Sequence, residues 1–193
     1  GPALVASPPG GFIGPISLGS FGGDGSYLSG LSKNGYATGI ALSAGNSHYH
    51  GFFWSQTGGM VDIGGFGGDT YPRAVSVTGQ VVGSAWVPGH YNLHHAFSWT
   101  SAGGMVDLGA PAFPIDGEIR PTDTFRSRAV DVNASGTVVG VIEARREKGP
   151  PGFPPGMIYS TTYRGFVWTA ATGMVVLPAP VNGYVYPEDI NDS

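Results

Sequence analysis

The phrase "HHAFSWTSAGGMVDLG" (94–109) has two near copies in the chain, "YHGFFWSQTGGMVDIG" (49–64) and "YRGFVWTAATGMVVLP" (163–178). A sequence that returns to itself at long period is read as stacked copies of one unit, since each unit buries its apolar faces against its neighbours. Trp54, Trp99 and Trp168 each stand six residues before Met60, Met105 and Met174, with turn-forming "SQTGG", "TSAGG" and "TAATG" between. The spacing predicts a hairpin in which each tryptophan faces its methionine. On the first strand His50, Phe52 and Trp54 share one face and Gly51 and Phe53 the other; on the second, Met60 and Asp62 alternate with Val61 and Ile63. The glycine before each methionine supplies the positive φ such a turn needs.

A second hairpin precedes each of these, in "GLSKNGYATG" (30–39), "AVSVTGQVVG" (74–83) and "AVDVNASGTVVG" (129–140). Two hairpins make four strands per repeat, and no stretch shows a helical period. The repeat tryptophans Trp54, Trp99 and Trp168 are 45 and 69 residues apart, the excess in the last interval falling around 110–125 and 143–162. Repeats are expected at about 27–70, 71–125 and 126–185, within one domain spanning 16–193. "ISLGSFGGDG" matches "VDIGGFGGDT" and "YPEDINDS" matches the "AVDVNAS" region, so partial strands are expected at 16–26 and 186–193. The predicted fold is all-β: repeated four-stranded antiparallel sheets in a β-propeller-like array, or three sheets in a prism-like packing. Gly1-Pro2 matches the residue pair left by a tag-removal protease, and 1–15 is read as a tail.

Composition narrows the function classes. The 193 residues include 34 glycines and 16 prolines, only 11% are charged, and 12% are aromatic, which suits a folded, turn-rich chain. A net charge of −4 with dispersed arginines offers no stripe for nucleic acid. Cysteine is absent, which excludes disulfides and thiolate metal sites. No apolar run approaches the ~20 residues of a membrane-spanning helix, and no signal-peptide pattern opens the chain.

The recurrence of "AVSVTGQVVG" before "HHAFSWTSAGGMVDLG", and of "AVDVNASGTVVG" before "RGFVW", resembles the HAF repeats of bacterial extracellular proteins, whose signature His95, Ala96 and Phe97 carry verbatim. The resemblance covers roughly 16–193. It departs at His-Gly-Phe (50–52), at Arg-Gly-Phe (164–166), and at Val176, where Asp62 and Asp107 stand in the other copies. The resemblance implies secretion or surface display, in some members within autotransporter-like proteins, with any signal peptide removed. It implies no established enzymatic activity.

Candidate sites are sparse. His48 and His50 form an H-x-H, and His90, His94 and His95 cluster in sequence, a pattern that can chelate zinc, copper or nickel. His50 and His95 occupy one repeat position, however, which Arg164 fills in the third copy. If tryptophan faces methionine, His50 lies diagonal to Asp62 and His95 to Asp107, so a structural His–Asp pair is expected and no metal. Asp24 and Asp69 follow glycine pairs singly and read as turn residues, not calcium ligands. Asp116, Glu118 and Asp123 in "PIDGEIRPTD" fit no cation loop, and the pair Asp116 and Glu118 lacks the opposed acid that hydrolysis needs. The glycine-rich loops lack the lysine and helix of a phosphate cradle, and no Gly-x-Ser-x-Gly elbow is present.

Phe52, Trp54, Phe97, Trp99, Phe166 and Trp168 recur in phase and are expected in the core. Trp86, Tyr91, Tyr159, Tyr163, Tyr184 and Tyr186 do not recur so strictly. With Arg145 and Arg146, the aromatics Trp86, Tyr91, Tyr159 and Tyr163 form the expected ligand surface, centred on the insertion at 145–164. The expected function is a non-enzymatic extracellular or cell-surface module that binds a glycan, surface polymer or protein through its inserted loops, without cofactor. Alternatives are a polysaccharide hydrolase or lyase using loop carboxylates, and a purely structural display module. Unpaired strands at the ends of the array are expected to permit self-association.

Overall fold

The computed structural model describes residues 16–45, 49–89, 93–147, 159–179 and 183–192. It contains three antiparallel four-stranded sheets, each a meander in chain order. Sheet 1 comprises β1 (Gly22–Leu31), β2 (Ala37–Ser43), β3 (Tyr49–Ser55) and β4 (Gly59–Asp62). Sheet 2 comprises β5 (Thr70–Val75), β6 (Val81–Trp86), β7 (His94–Thr100) and β8 (Gly104–Gly109). Sheet 3 comprises β9 (Thr124–Val132), β10 (Val138–Glu147), β11 (Tyr159–Thr169) and β12 (Gly173–Val176).

The same local chemistry builds each sheet. At the first turn, Ser32, Ser76 and Asn133 accept through their side chains from the amides of Tyr36, Gln80 and Thr137, and Gly35, Gly79 and Gly136 take positive φ. At the last turn, Ser55, Thr100 and Thr169 accept from the amides of Gly58, Gly103 and Thr172. Gly59, Gly104 and Gly173 supply the positive φ directly before each methionine. Trp54, Trp99 and Trp168 stand opposite Met60, Met105 and Met174.

Side chains alternate across each sheet, so one face of a sheet packs on the next. Ile63 of the first repeat joins Val75, Val81, Phe97 and Trp99 of the second in one cluster. Val82, Ala96 and Leu108 join Val132, Val138 and Phe166 of the third in another. Phe52, Phe97 and Phe166 are fully buried. The first strands β5 and β9 are also tied to the end of the preceding sheet by equivalent bonds, Thr70 Oγ1 to Gly64 O and Ser127 Oγ to Gly109 O. The first strands β1, β5 and β9 lie side by side along one edge of the array. That arrangement is consistent with blades around an axis or with a prism-like packing of three sheets.

Three features depart from the sequence pattern. First, each leading strand carries a bulge, at Ser29, Arg73 and Val130, because the pairing skips one residue before Gly39, Gly83 and Gly140. Second, part of the third-repeat insertion is ladder, not loop: Glu143 to Glu147 pair with Tyr163 to Tyr159, lengthening β10 and β11. Third, the ends are less regular than partial strands. Residues 16–20 form none, Phe21 makes a single bridge to Ser43, and Gly22 already belongs to β1.

The C-terminal segment 183–192 likewise forms no ladder, yet it takes the place a fourth leading strand would hold. A Cβ on Gly165 would fall 2.8 Å from Val185 and 3.0 Å from Pro187; one on the equivalent Gly51 would meet Pro72 at 2.8 Å and Thr70 at 2.9 Å. Asn133 Nδ2 donates to Asn191 O, and the Ala134 amide donates to the Asp192 carboxylate.

Candidate functional site

The bulges rotate the middle of each leading strand, so that equivalent residues point toward the axis. Tyr27, Tyr71, Arg128 and Tyr186 occupy one such position, and Ser29, Arg73, Val130 and Glu188 the next. All eight line one concave groove of about 710 Å³, a volume within the range of small-ligand sites. A side crevice of about 320 Å³ between sheets 2 and 3 shares Tyr71, Ser84 and Arg128 with it.

All three tyrosines are exposed, and Tyr71 and Tyr186 are held in place. Tyr27 is 61% exposed, Tyr186 44% and Tyr71 38%. Tyr71 Oη donates to Asp69 Oδ2 at 3.0 Å, and burial together with that bond pushes its pKa up to about 12. Burial and a hydrogen bond with Tyr163 push Tyr186 to about 12 as well. Both rings therefore stay neutral through the physiological range, and the Tyr186 ring rests 5.0 Å from that of Tyr163.

The wall carrying Tyr186 is fastened by a carboxyl pair. The Ile190 amide donates to Asp131 Oδ2 at 3.0 Å. Burial and the hydrogen bond with Asp189 raise the pKa of Asp131, and that same bond, followed by the Ile190 amide, lowers Asp189. A raised carboxyl stabilises the docked segment at low pH and loses that effect as pH rises through its folded value. A lowered one stabilises it at higher pH and loses that effect as pH falls through its folded value. Docking is therefore tightest between the two, with one shared proton, and weakens above Asp131's value as two carboxylates face each other. Protection of the Ile190 amide against hydrogen exchange, corrected for intrinsic rate, should be greater in mildly acidic than in neutral buffer. Asp189→Asn should remove the loss at neutral pH; unchanged pH dependence in that variant would refute the pairing.

Among the described residues, Trp86, Arg145 and Arg146, anticipated as part of a ligand surface, do not converge. Trp86 ends β6 and folds over the acidic turn, where a Cβ on Gly68 would meet its ring at 2.2 Å. Arg145 pairs with Glu143. Arg146 is only 2% exposed, which removes it from any open surface. Its guanidinium bonds the Asp123 carboxylate and the carbonyls of Ile115 and Glu118, pinning the segment that buries Phe113 and Ile115. Arg146 in turn holds the Asp123 carboxyl below the usual carboxylate range. Among the described members of this set, Tyr163 approaches the groove, behind Tyr186. Tyr91, His48 and His90 lie outside the described residues, as does the Tyr159 side chain; the Tyr159 backbone pairs with Glu147.

His50 Nδ1 lies 2.7 Å from Asp62 Oδ2 and His95 Nδ1 3.0 Å from both Asp107 oxygens. Each aspartate also accepts from an amide two residues on, Gly64 or Gly109. In the third repeat Arg164 turns away from Val176 and lies over the Phe113 ring at 5.2 Å. Among the described residues, no three His, Asp or Glu side chains converge on a point suited to a metal ion.

Sequence reading missed the groove residues. Tyr186 counts as non-recurring only when the inserted loops set the frame; "YP" at 71–72 and 186–187, with Tyr27-Leu28 before them, was the available signal. No helix among the described residues is long and apolar enough to cross a membrane. Comparison with known proteins returns no matching family model, no similar curated protein and no similar solved structure.

Proposed function

We propose that this chain is a non-enzymatic, secreted or surface-displayed binding module of the HAF-repeat type, and that its axial groove holds a saccharide. The observation that carries this reading is the convergence of three exposed tyrosines, two of them held by hydrogen bonds, on one groove. Flat aromatic faces stack on the apolar faces of sugar rings, and the fixed hydroxyls of Tyr71 and Tyr186 reduce the entropy lost on binding. Hydrolysis is disfavoured because Glu188 is the one carboxylate among the residues lining this groove, whereas glycosidic cleavage takes two opposed acids. The bulged strands, not the inserted loops, carry the site.

A glycan array followed by titration calorimetry tests this. Tyr27→Ala and Tyr186→Ala, both at exposed positions, should each weaken the best array ligand by about tenfold, as truncation of an interface tyrosine does. An array without hits, or affinity untouched in both variants, would sink the saccharide reading.

A second reading has its own observation. Leu28 and Leu31 of β1 are 55% and 68% exposed, while Val75 and Val132, equivalent to Leu31, are 7% and 6% exposed under the preceding sheet, and Pro72 and Ala129, equivalent to Leu28, are buried. This face suits the back of another sheet of the same kind, supplied by a second copy. Light scattering that finds only monomer at high concentration would dismiss it.

A further inference from the structure

The arginines of the chain differ in what neutralises them. Arg120 and Arg145 pair with Glu118 and Glu143, Arg146 is enclosed with Asp123, and Arg164 lies over Phe113 with Tyr163 O as acceptor. Arg73 and Arg128 differ from these four. Among the described residues no carboxylate pairs with either guanidinium, and both line the axial groove. Arg128 also lines the side crevice, at its junction with the groove.

Their placement follows from the fold. Arg73 is the bulge residue of β5, and Arg128 is the residue of β9 equivalent to Tyr71. Both positions therefore point into the groove, flanked by tyrosines; among the described residues Glu188 is the carboxylate that lines the groove itself, while Glu143, paired with Arg145, lines the adjoining crevice together with Arg126. A chain of net charge −4 thus carries a locally positive concavity. Low-dielectric walls strengthen the field of such a pair and draw anions to it against the overall charge.

We propose that the groove selects an anionic saccharide, in which tyrosine faces stack on sugar rings while Arg73 and Arg128 bind carboxylate or sulfate substituents. The proposal rests on the saccharide reading and adds the charge of the ligand. Guanidinium meets carboxylate through two parallel N–H···O bonds, which fixes the sugar's orientation as well as its charge. Sulfate offers the same charge and acceptors, so the chemistry is shared and the two sources separate only by experiment.

The test titrates the chain with three probes: a short oligogalacturonide, its fully methyl-esterified form, and a sulfated oligosaccharide. The ester keeps the ring and loses the charge. An anionic probe should bind at least tenfold tighter than the ester, and added salt should weaken it. Arg73→Gln and Arg128→Gln should each weaken the anionic probe about tenfold, the scale of one charge-assisted bond, without altering the ester's affinity or the thermal midpoint. Preference for the sulfated probe through the same two arginines supports the site and assigns its anion as sulfate. Equal affinity for acid and ester overturns the anionic inference while leaving the saccharide groove standing. So does binding lost in the tyrosine variants but kept in both arginine variants. Failure of all three probes to bind overturns the proposal outright.

Discussion

Replacing Trp99 with alanine should destabilise the chain by about 3–5 kcal/mol, the range for removing a large enclosed side chain. Trp99 is 7% exposed and belongs to the cluster that joins the first two sheets. Its ring faces Met105 across its own hairpin and Phe53 of the neighbouring sheet at 5.6 Å, and Phe53 in turn rests on Tyr36 at 5.2 Å. The cavity would open at a seam between repeats, where little backbone can collapse into it. In a stacked array the energy of each unit includes its contact with the next, so damage to a seam lowers the cooperativity of unfolding as well as the midpoint. Trp54 and Trp168 are less enclosed, and their alanine variants should cost less. Denaturant titration measures all three. A Trp99→Ala loss no larger than that of Val106→Ala, at a position 48% exposed, would refute the assignment of this ring to the seam.

What the sequence made legible is what local chemistry determines. The tryptophan-to-methionine spacing, the turn glycines and the diagonal from His50 to Asp62 are all hairpin properties, and hairpin register follows from alternation and turn length. The third repeat's insertion was legible as extra length but not as ladder. "EARRE" and "YSTTYR" carry no strong alternation and extend the sheet because their neighbours are already paired. Arg146 was misplaced for a related reason: its partner Asp123 lies 23 residues upstream, and nothing local distinguishes a buried arginine from an exposed one. The groove was hidden by the bulges. A period-2 reading carried through Arg73 or Val130 assigns the residues before the bulge to the wrong face, so Tyr71 and Arg128 fall out of phase with the residues that follow.

Those bulges make a second large effect predictable. Gly140→Ala should cost about 2–4 kcal/mol, at or above the usual range for inserting one methyl into a filled space. With Val130 unpaired, β9 arches over β10, so a Cβ on Gly140 would fall 2.3 Å from Arg128 O and 2.4 Å from the Phe166 ring. The equivalent glycines meet the same obstacle: Gly39 faces Tyr27 O at 2.0 Å and Gly83 faces Tyr71 O at 2.2 Å. Neither obstacle at Gly140 can retreat. The carbonyl belongs to a paired strand, and Phe166 is wholly enclosed in the core between sheets 2 and 3. Because the residue pressed aside is Arg128, the same variant should lose groove binding in proportion to its structural loss, unlike Arg128→Gln, which should lose binding alone. Gly25→Ala, where a Cβ would meet nothing within 4 Å and φ is not positive, serves as the reference and should be neutral or slightly stabilising through the unfolded chain. A Gly140→Ala midpoint matching that reference would mean that the leading strand does not arch over this glycine, and would remove the geometric basis for placing Tyr71 and Arg128 on the axis.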